Sequence, residues 1–172
     1  FLLQLFYAWM IVYTPIYLNT HVGFSWMEIG AMFTIMLLPF VFVQIPLGYV
    51  ADKKIGEKEI LTAGFIILGT FTGMIPFIQS NSFVIWTAVL FMGRLGAAMV
   101  ELMNDTYFFK NVTDKNLNFI NFYRTTGPVA YIIFPVIITI FLYYFSFTSF
   151  YYVVGLLMFF GLRYSLAIGD TK

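Results

Sequence analysis

Cysteine is absent from the chain. Disulfides, thiolate metal sites and thiol nucleophiles are therefore excluded. A single histidine, His21, has no second ligand at metal-binding spacing and no serine partner inside an apolar stretch. Paired intramembrane aspartates are missing as well, so neither an enzyme nor a resident cofactor is expected. Charge is the next scarcity. Charged residues make up 10% of the 172 positions, where a soluble domain carries about 25%. That is too little to solvate a globular surface. The net charge of +1 gives no sequence-wide attraction to nucleic acid. A basic n-region and a small-residue cleavage site are also lacking. Phe1 already lies in an apolar run, so the chain reads as cut from something longer.

What is present is apolar mass: 61% hydrophobic residues, 22% aromatic, mean hydropathy +0.89. Its apolar runs repeatedly exceed the roughly 18 residues that span a hydrocarbon layer. Six spans are expected, covering about 1–19, 27–50, 60–79, 83–104, 119–145 and 149–168. Lipid cannot satisfy backbone polar groups, so all six must be helices. The fold class is thus all-α integral membrane, as a single bundle over 1–172.

Orientation follows from the connections. Lys53, Lys54, Lys58, Lys110, Lys115, Arg163 and Lys172 lie in the loops and tail of one side. The opposite loops, NTHVGFSWME, QSNS and SFTS, hold no lysine or arginine. The positive-inside rule makes the basic side cytoplasmic, and both ends with it. Tyr143, Tyr144, Tyr151 and Tyr152, around the outer 5–6 turn, fit an interfacial aromatic belt. Asn111-Val-Thr matches a glycosylation sequon but falls on the cytoplasmic side, so it is discounted.

Local signals refine the helices. Ser25 followed by Glu28 fits a capping box at the start of the second span. Gly69 and Gly73 form a small-residue face that allows close helix approach. Pro15, Pro39, Pro46, Pro76, Pro128 and Pro135 fall in or at the edges of spans, where kinks are expected.

Two constellations carry charge. The first is GYVADKKIGEKE at 48–59, between the second and third spans. Gly48 lies one turn before Asp52, which lets another helix pack against the end of the span. Asp52 can then reach amides at a neighbouring helix N-terminus. The second is Arg94, near the middle of the fourth span. Placing arginine there costs about 2.5–3.5 kcal/mol on insertion scales, and it stays charged. Thr87, Arg94 and Glu101 are spaced by seven along one helix face, with Gly93 and Ala97 beside them. Arg94 either lines a cavity, binding an anionic group or switching partners, or forms a fixed ion pair with an acid in the bundle. Glu101 and Arg124 lie near the cytoplasmic ends of their spans. They pair with each other at an inner rim, or simply snorkel to the interface.

PLGYVADKKIGEK, after the second of six spans, resembles the loop signature of the major facilitator superfamily, roughly G-x-x-x-D-[RK]-x-G-[RK]-[RK]. Gly48, Asp52, Lys53, Gly56 and Lys58 match its roles, with one extra residue before Gly56 and Glu57 in place of a base. The resemblance implies two inverted three-helix repeats, about 1–80 and 82–172, forming half of a twelve-helix transporter. The degenerate signature and the short tail GDTK read as the C-terminal half. The first and fourth helices of each half would line the cavity. That makes Gln4, Tyr7, Tyr13 and Tyr17 candidate contacts beside Arg94 and Thr87, although a tyrosine stripe also serves packing. Gly127–Pro128 is a fragment of the family's antiporter signature without its outer glycines, and implies no antiport.

The expected function is secondary transport of a small polar or anionic solute across the cell membrane by alternating access. Asp52, its loop, Glu101 and Arg124 would form the inner gate. The expected partners are the solute, the lipid bilayer and a second six-helix half. The alternatives are a non-transporting six-helix scaffold and a self-sufficient half that dimerises.

Overall fold

The computed structural model describes residues 1–53, 55–112 and 117–168, without the side chains of Asp52 and Leu117. Lys54, Lys115, Lys172 and the sequon's Thr113 lie outside the described residues, as does the Asp52 side chain.

The described chain is almost entirely helical, apart from short connections such as 23–25, 78–82 and 145–146. The first segment, from Leu2 to Val22, is not one α-helix. It runs as α1 (Leu2–Ala8), a π-helical stretch (Trp9–Tyr13), α2 (Thr14–Tyr17) and a second π stretch (Leu18–Val22). Pro15 has no N–H to offer the preceding turn, and the widened π geometry sits directly before it. The second segment is interrupted at Leu37 and Val43, just ahead of each proline that the sequence places there. It comprises α3 (Trp26–Met36), α4 (Leu38–Phe42) and α5 (Gln44–Lys53), with Pro39 opening α4 and Pro46 inside α5. Ser25 starts α3 as expected: the Glu28 amide donates to Ser25 Oγ at 3.4 Å, and the Ser25 amide donates to Glu28 Oε2 at 2.9 Å.

Gly56, at φ 109°, turns the chain into α6 (Glu57–Met74). After it come α7 (Phe83–Asn111), α8 (Leu117–Tyr144) and α9 (Phe147–Ala167). The sequence led to six spans. Five helical segments are long and apolar enough to cross a membrane: Trp26–Ala51, Glu57–Phe77, Phe83–Asn111, Asn118–Tyr144 and Phe147–Ala167. The broken first segment is outside that set.

The centre of the bundle is α6, which packs along both α7 and α9. Glycines set the spacing. A Cβ on Gly155 of α9 would lie 3.0 Å from Gly73 Cα, so the Gly69/Gly73 face does receive a helix. A Cβ on Gly96 of α7 would lie 2.6 Å from the Leu68 amide nitrogen and 2.8 Å from the Gly64 carbonyl oxygen. The close approach on α7 therefore falls at Gly96. At Gly93, beside Arg94, a Cβ would meet only Phe71 Cβ at 4.0 Å.

The aromatic belt needs one correction. Tyr143 and Tyr144 are exposed, but Tyr151 is fully buried and donates a hydrogen bond to Thr14 Oγ1 at 3.1 Å. It packs edge-on against Trp9 and Tyr17, closing the end of the bundle where α9 begins.

Candidate functional site

At 29 residues, α7 is roughly 43 Å long, well beyond a hydrocarbon layer of about 30 Å. Its last turns therefore leave the apolar zone while remaining helical. Along one face it carries Thr87, Arg94, Glu101 and Asp105, and the first segment and α8 converge beside that face. Arg94 lies 11 residues past Phe83, about 16 Å along the axis and so near mid-bilayer depth.

Arg94 is 3% exposed. Its guanidinium carbon stands 5.0 Å from the Tyr7 ring centroid and 5.9 Å from that of Phe6. Its Nε has no hydrogen-bond partner, and among the described residues no carboxylate lies within ion-pairing distance of it. A desolvated cation–π contact contributes about 2 kcal/mol. Removing a charge from water costs several kcal/mol per ion. The rings alone do not offset that cost, so among the described residues Arg94 is an under-compensated cation.

Tyr7 links Arg94 to the next charge. Its ring lies against the guanidinium, and its hydroxyl donates to Glu101 Oε2 at 2.5 Å. One turn on, Tyr123 of α8 donates to Asp105 Oδ1 at 2.6 Å. Both carboxylates face a cleft of about 520 Å³ between the first segment, α7 and α8, which Gln4, Asn104 and Arg124 also line. Gln4 packs beside α8 at Gly127, where a Cβ would lie in ordinary contact, 3.4 Å from Gln4 Oε1. Pro128 cannot donate to the Arg124 carbonyl, leaving that oxygen without its usual helical bond.

The expected site residues are only partly brought together. Gln4, Tyr7, Arg94 and Glu101 form one continuous run. Arg124 lines the cleft, but no ion pair with Glu101 occurs among the described residues, where Tyr7 takes that carboxylate instead. Thr87 is buried further along the same face and donates to the Phe83 carbonyl at 2.7 Å. Tyr13 stacks on Trp9 at 5.1 Å, towards the opposite end from the cleft. Tyr17 stacks on His21 at 5.0 Å in the same aromatic group.

In the loop, a Cβ on Gly48 would meet nothing within 4 Å, so among the described residues no helix presses on it. Lys53 lies 4.7 Å over the Tyr49 ring. The Lys58 carbonyl accepts from the Thr62 hydroxyl at 2.7 Å. Glu57, the acid that replaces a base in the signature, is buried and pairs with Lys110 Nζ at 2.6 Å. The pair joins the first turn of α6 to the last turn of α7, where each charge suits its helix end.

Sequence reasoning missed Asp105, Tyr123 and Lys110 as participants. Ending the fourth span at 104 hid Asp105 and Lys110, whereas Tyr123 lay inside the fifth span with nothing in its spacing to mark a partner. The lack of any proline or glycine between Asn104 and Asn111 was the available signal that the helix continued.

A family model described as Major Facilitator Superfamily matches residues 1–168. No curated protein and no solved structure matches the chain.

Proposed function

The chain belongs to the major facilitator superfamily, whose members are multi-pass membrane transporters of small solutes, and on that premise we propose that it is one six-helix half of a secondary transporter working by alternating access. The half comprises two inverted three-helix repeats, about 1–80 and 82–172. The broken first segment serves as the first of the six spans, and both ends face the cytoplasm of a cell-membrane transporter.

Arg94 carries this reading. It is a buried arginine near mid-bilayer depth without an ion-pair partner among the described residues. Such a cation is costly in a static scaffold and useful where an anionic or polar solute group passes. Gln4, Tyr7, Tyr13 and Thr87 belong to the same path. Gly48, Asp52, Lys53, Gly56 and Lys58 form the inner loop, with Glu101 and Arg124 at the rim.

Burial supports a second half. The second and fifth spans have 22% and 17% of their most apolar windows buried, against 39–50% for the other three. Those faces are available to a partner half and to lipid.

The test uses the full-length protein reconstituted in vesicles and screened for solute uptake. Arg94→Ala should abolish saturable uptake of any solute found, and Asp52→Lys should slow exchange between accessibility states. Unchanged uptake in Arg94→Ala removes the cavity role. Unchanged exchange in Asp52→Lys removes the loop gate.

A further inference from the structure

Arg94, which has no ion-pair partner among the described residues, and the Glu101 carboxylate share one face of α7, and a third side chain fills the space between them. Arg94 and Glu101 are seven residues apart, about 10.5 Å along the helix. An arginine and a glutamate at that spacing do not meet as neighbours three or four apart do. Tyr7 bridges them, with its ring under the guanidinium and its hydroxyl on the carboxylate. The bridge is mismatched in charge. The phenol gives Glu101 a neutral donor, and the ring gives Arg94 no counter-ion at all. Both charges are only partly satisfied in this state.

A partner half does not supply the missing anion while Arg94 remains enclosed. It is 3% exposed with this chain alone, covered by Phe6 and Tyr7 of its own first segment. On the side of Glu101, Tyr7 is the side chain that stands between Arg94 and the carboxylate. Beyond Glu101 that space continues into the cleft, whose walls carry Asp105, Asn104 and Tyr123.

We infer that the site takes a zwitterion: a small flexible solute whose carboxylate pairs with Arg94 and whose ammonium pairs with Glu101, displacing Tyr7 from between them. This deepens the transporter reading and rests on it. It narrows the solute from polar or anionic to one with charges of both signs at a defined separation. Each end of the ligand replaces a weak contact with a charge-assisted one. Asp105, four residues further along the same face, lies about 6 Å beyond Glu101 and farther from Arg94, and sets the limit on longer ligands.

The test is a length series on the purified full-length protein in detergent, read as shifts of the thermal transition. The probes are glycine, γ-aminobutyrate, ε-aminocaproate and ω-aminocaprylate. Stabilisation should peak at γ-aminobutyrate or ε-aminocaproate, because separation of charge is being measured. The methyl ester and the N-acetyl derivative of the best probe should each bind at least about tenfold more weakly. Arg94→Gln should erase the difference between acid and ester, and Glu101→Gln the difference between amine and N-acetyl amine. The wild-type length series does not depend on either variant folding.

A monotonic rise with chain length, no shift at any length, or N-acetyl binding equal to the free amine would overturn the inference. In the last case the site is an anion site only, and the transporter reading stands. Failure of that reading appears separately, as loss of exchange between accessibility states in protein without ligand.

Discussion

Replacing Arg94 with methionine gives the sharpest energetic test of how the site is built. If Arg94 were half of a buried ion pair, removing it would strand an acid and cost about 3–5 kcal/mol. The structure gives the opposite sign. No carboxylate among the described residues pairs with Arg94, and its Nε is already without a partner. The substitution loses cation–π contact with Tyr7 and Phe6, about 2 kcal/mol. It also removes a desolvation cost of several kcal/mol. Methionine is flexible enough to fill the vacated space. Arg94→Met should therefore stabilise the resting state by about 1–3 kcal/mol while abolishing transport. The assay is paired: the midpoint of thermal unfolding in detergent and uptake into vesicles, both on the full-length protein. A transition that falls by the amount expected of a broken pair would refute the reasoning and establish Arg94 as a structural cation.

Further substitutions probe the surroundings. Gly96→Ala should destabilise by about 1–3 kcal/mol, because its Cβ would lie 2.6 Å from the Leu68 backbone, which cannot yield as a side chain can. Gly48→Ala, with open space, should be neutral or gain up to about 1 kcal/mol; thermal unfolding reads both. Lys110→Met should cost about 1–3 kcal/mol by depriving buried Glu57 of a charged donor, and adding Glu57→Gln should recover most of the loss. Tyr7→Phe keeps the ring under Arg94 and releases Glu101. It should tighten the best zwitterion in the thermal-shift series, whereas weaker binding would mean that the phenol orients the carboxylate rather than competing for it.

Much of this arrangement was legible because membrane helices obey few rules. Apolar run length located the second to sixth segments, Ser25 and Glu28 located the start of α3, and Gly69/Gly73 marked a helix contact. Arg94 stood out because arginine inside an apolar run always needs an explanation. The misses have equally physical causes. Hydropathy marks where a helix leaves the hydrocarbon, not where it ends, so α7 continues to Asn111 and carries Asp105 and Lys110 with it. Spacing along α7 placed Arg94 and Glu101 on one face but did not show that Tyr7 would stand between them, since that depends on how the first segment packs. Tyrosines near the end of a span look alike in sequence. Tyr143 meets the outside, whereas Tyr151, at the opening of α9, turns inward to Thr14. The π stretches around Pro15 leave no pattern beyond the proline itself.

The central claim, that this half moves between two accessibility states, is tested most directly by two engineered cysteines in the full-length protein, with other reactive cysteines removed. Asn104→Cys lines the open cleft, and Thr87→Cys is buried on the same helix face towards the other end. A bulky maleimide adduct at Asn104→Cys should hold the cleft from closing and leave Thr87→Cys protected. A small, non-obstructing adduct should allow Thr87→Cys to be labelled over time from the opposite side. Protection of Thr87→Cys that is identical with either adduct and in unmodified protein would contradict alternating access and leave a static bundle.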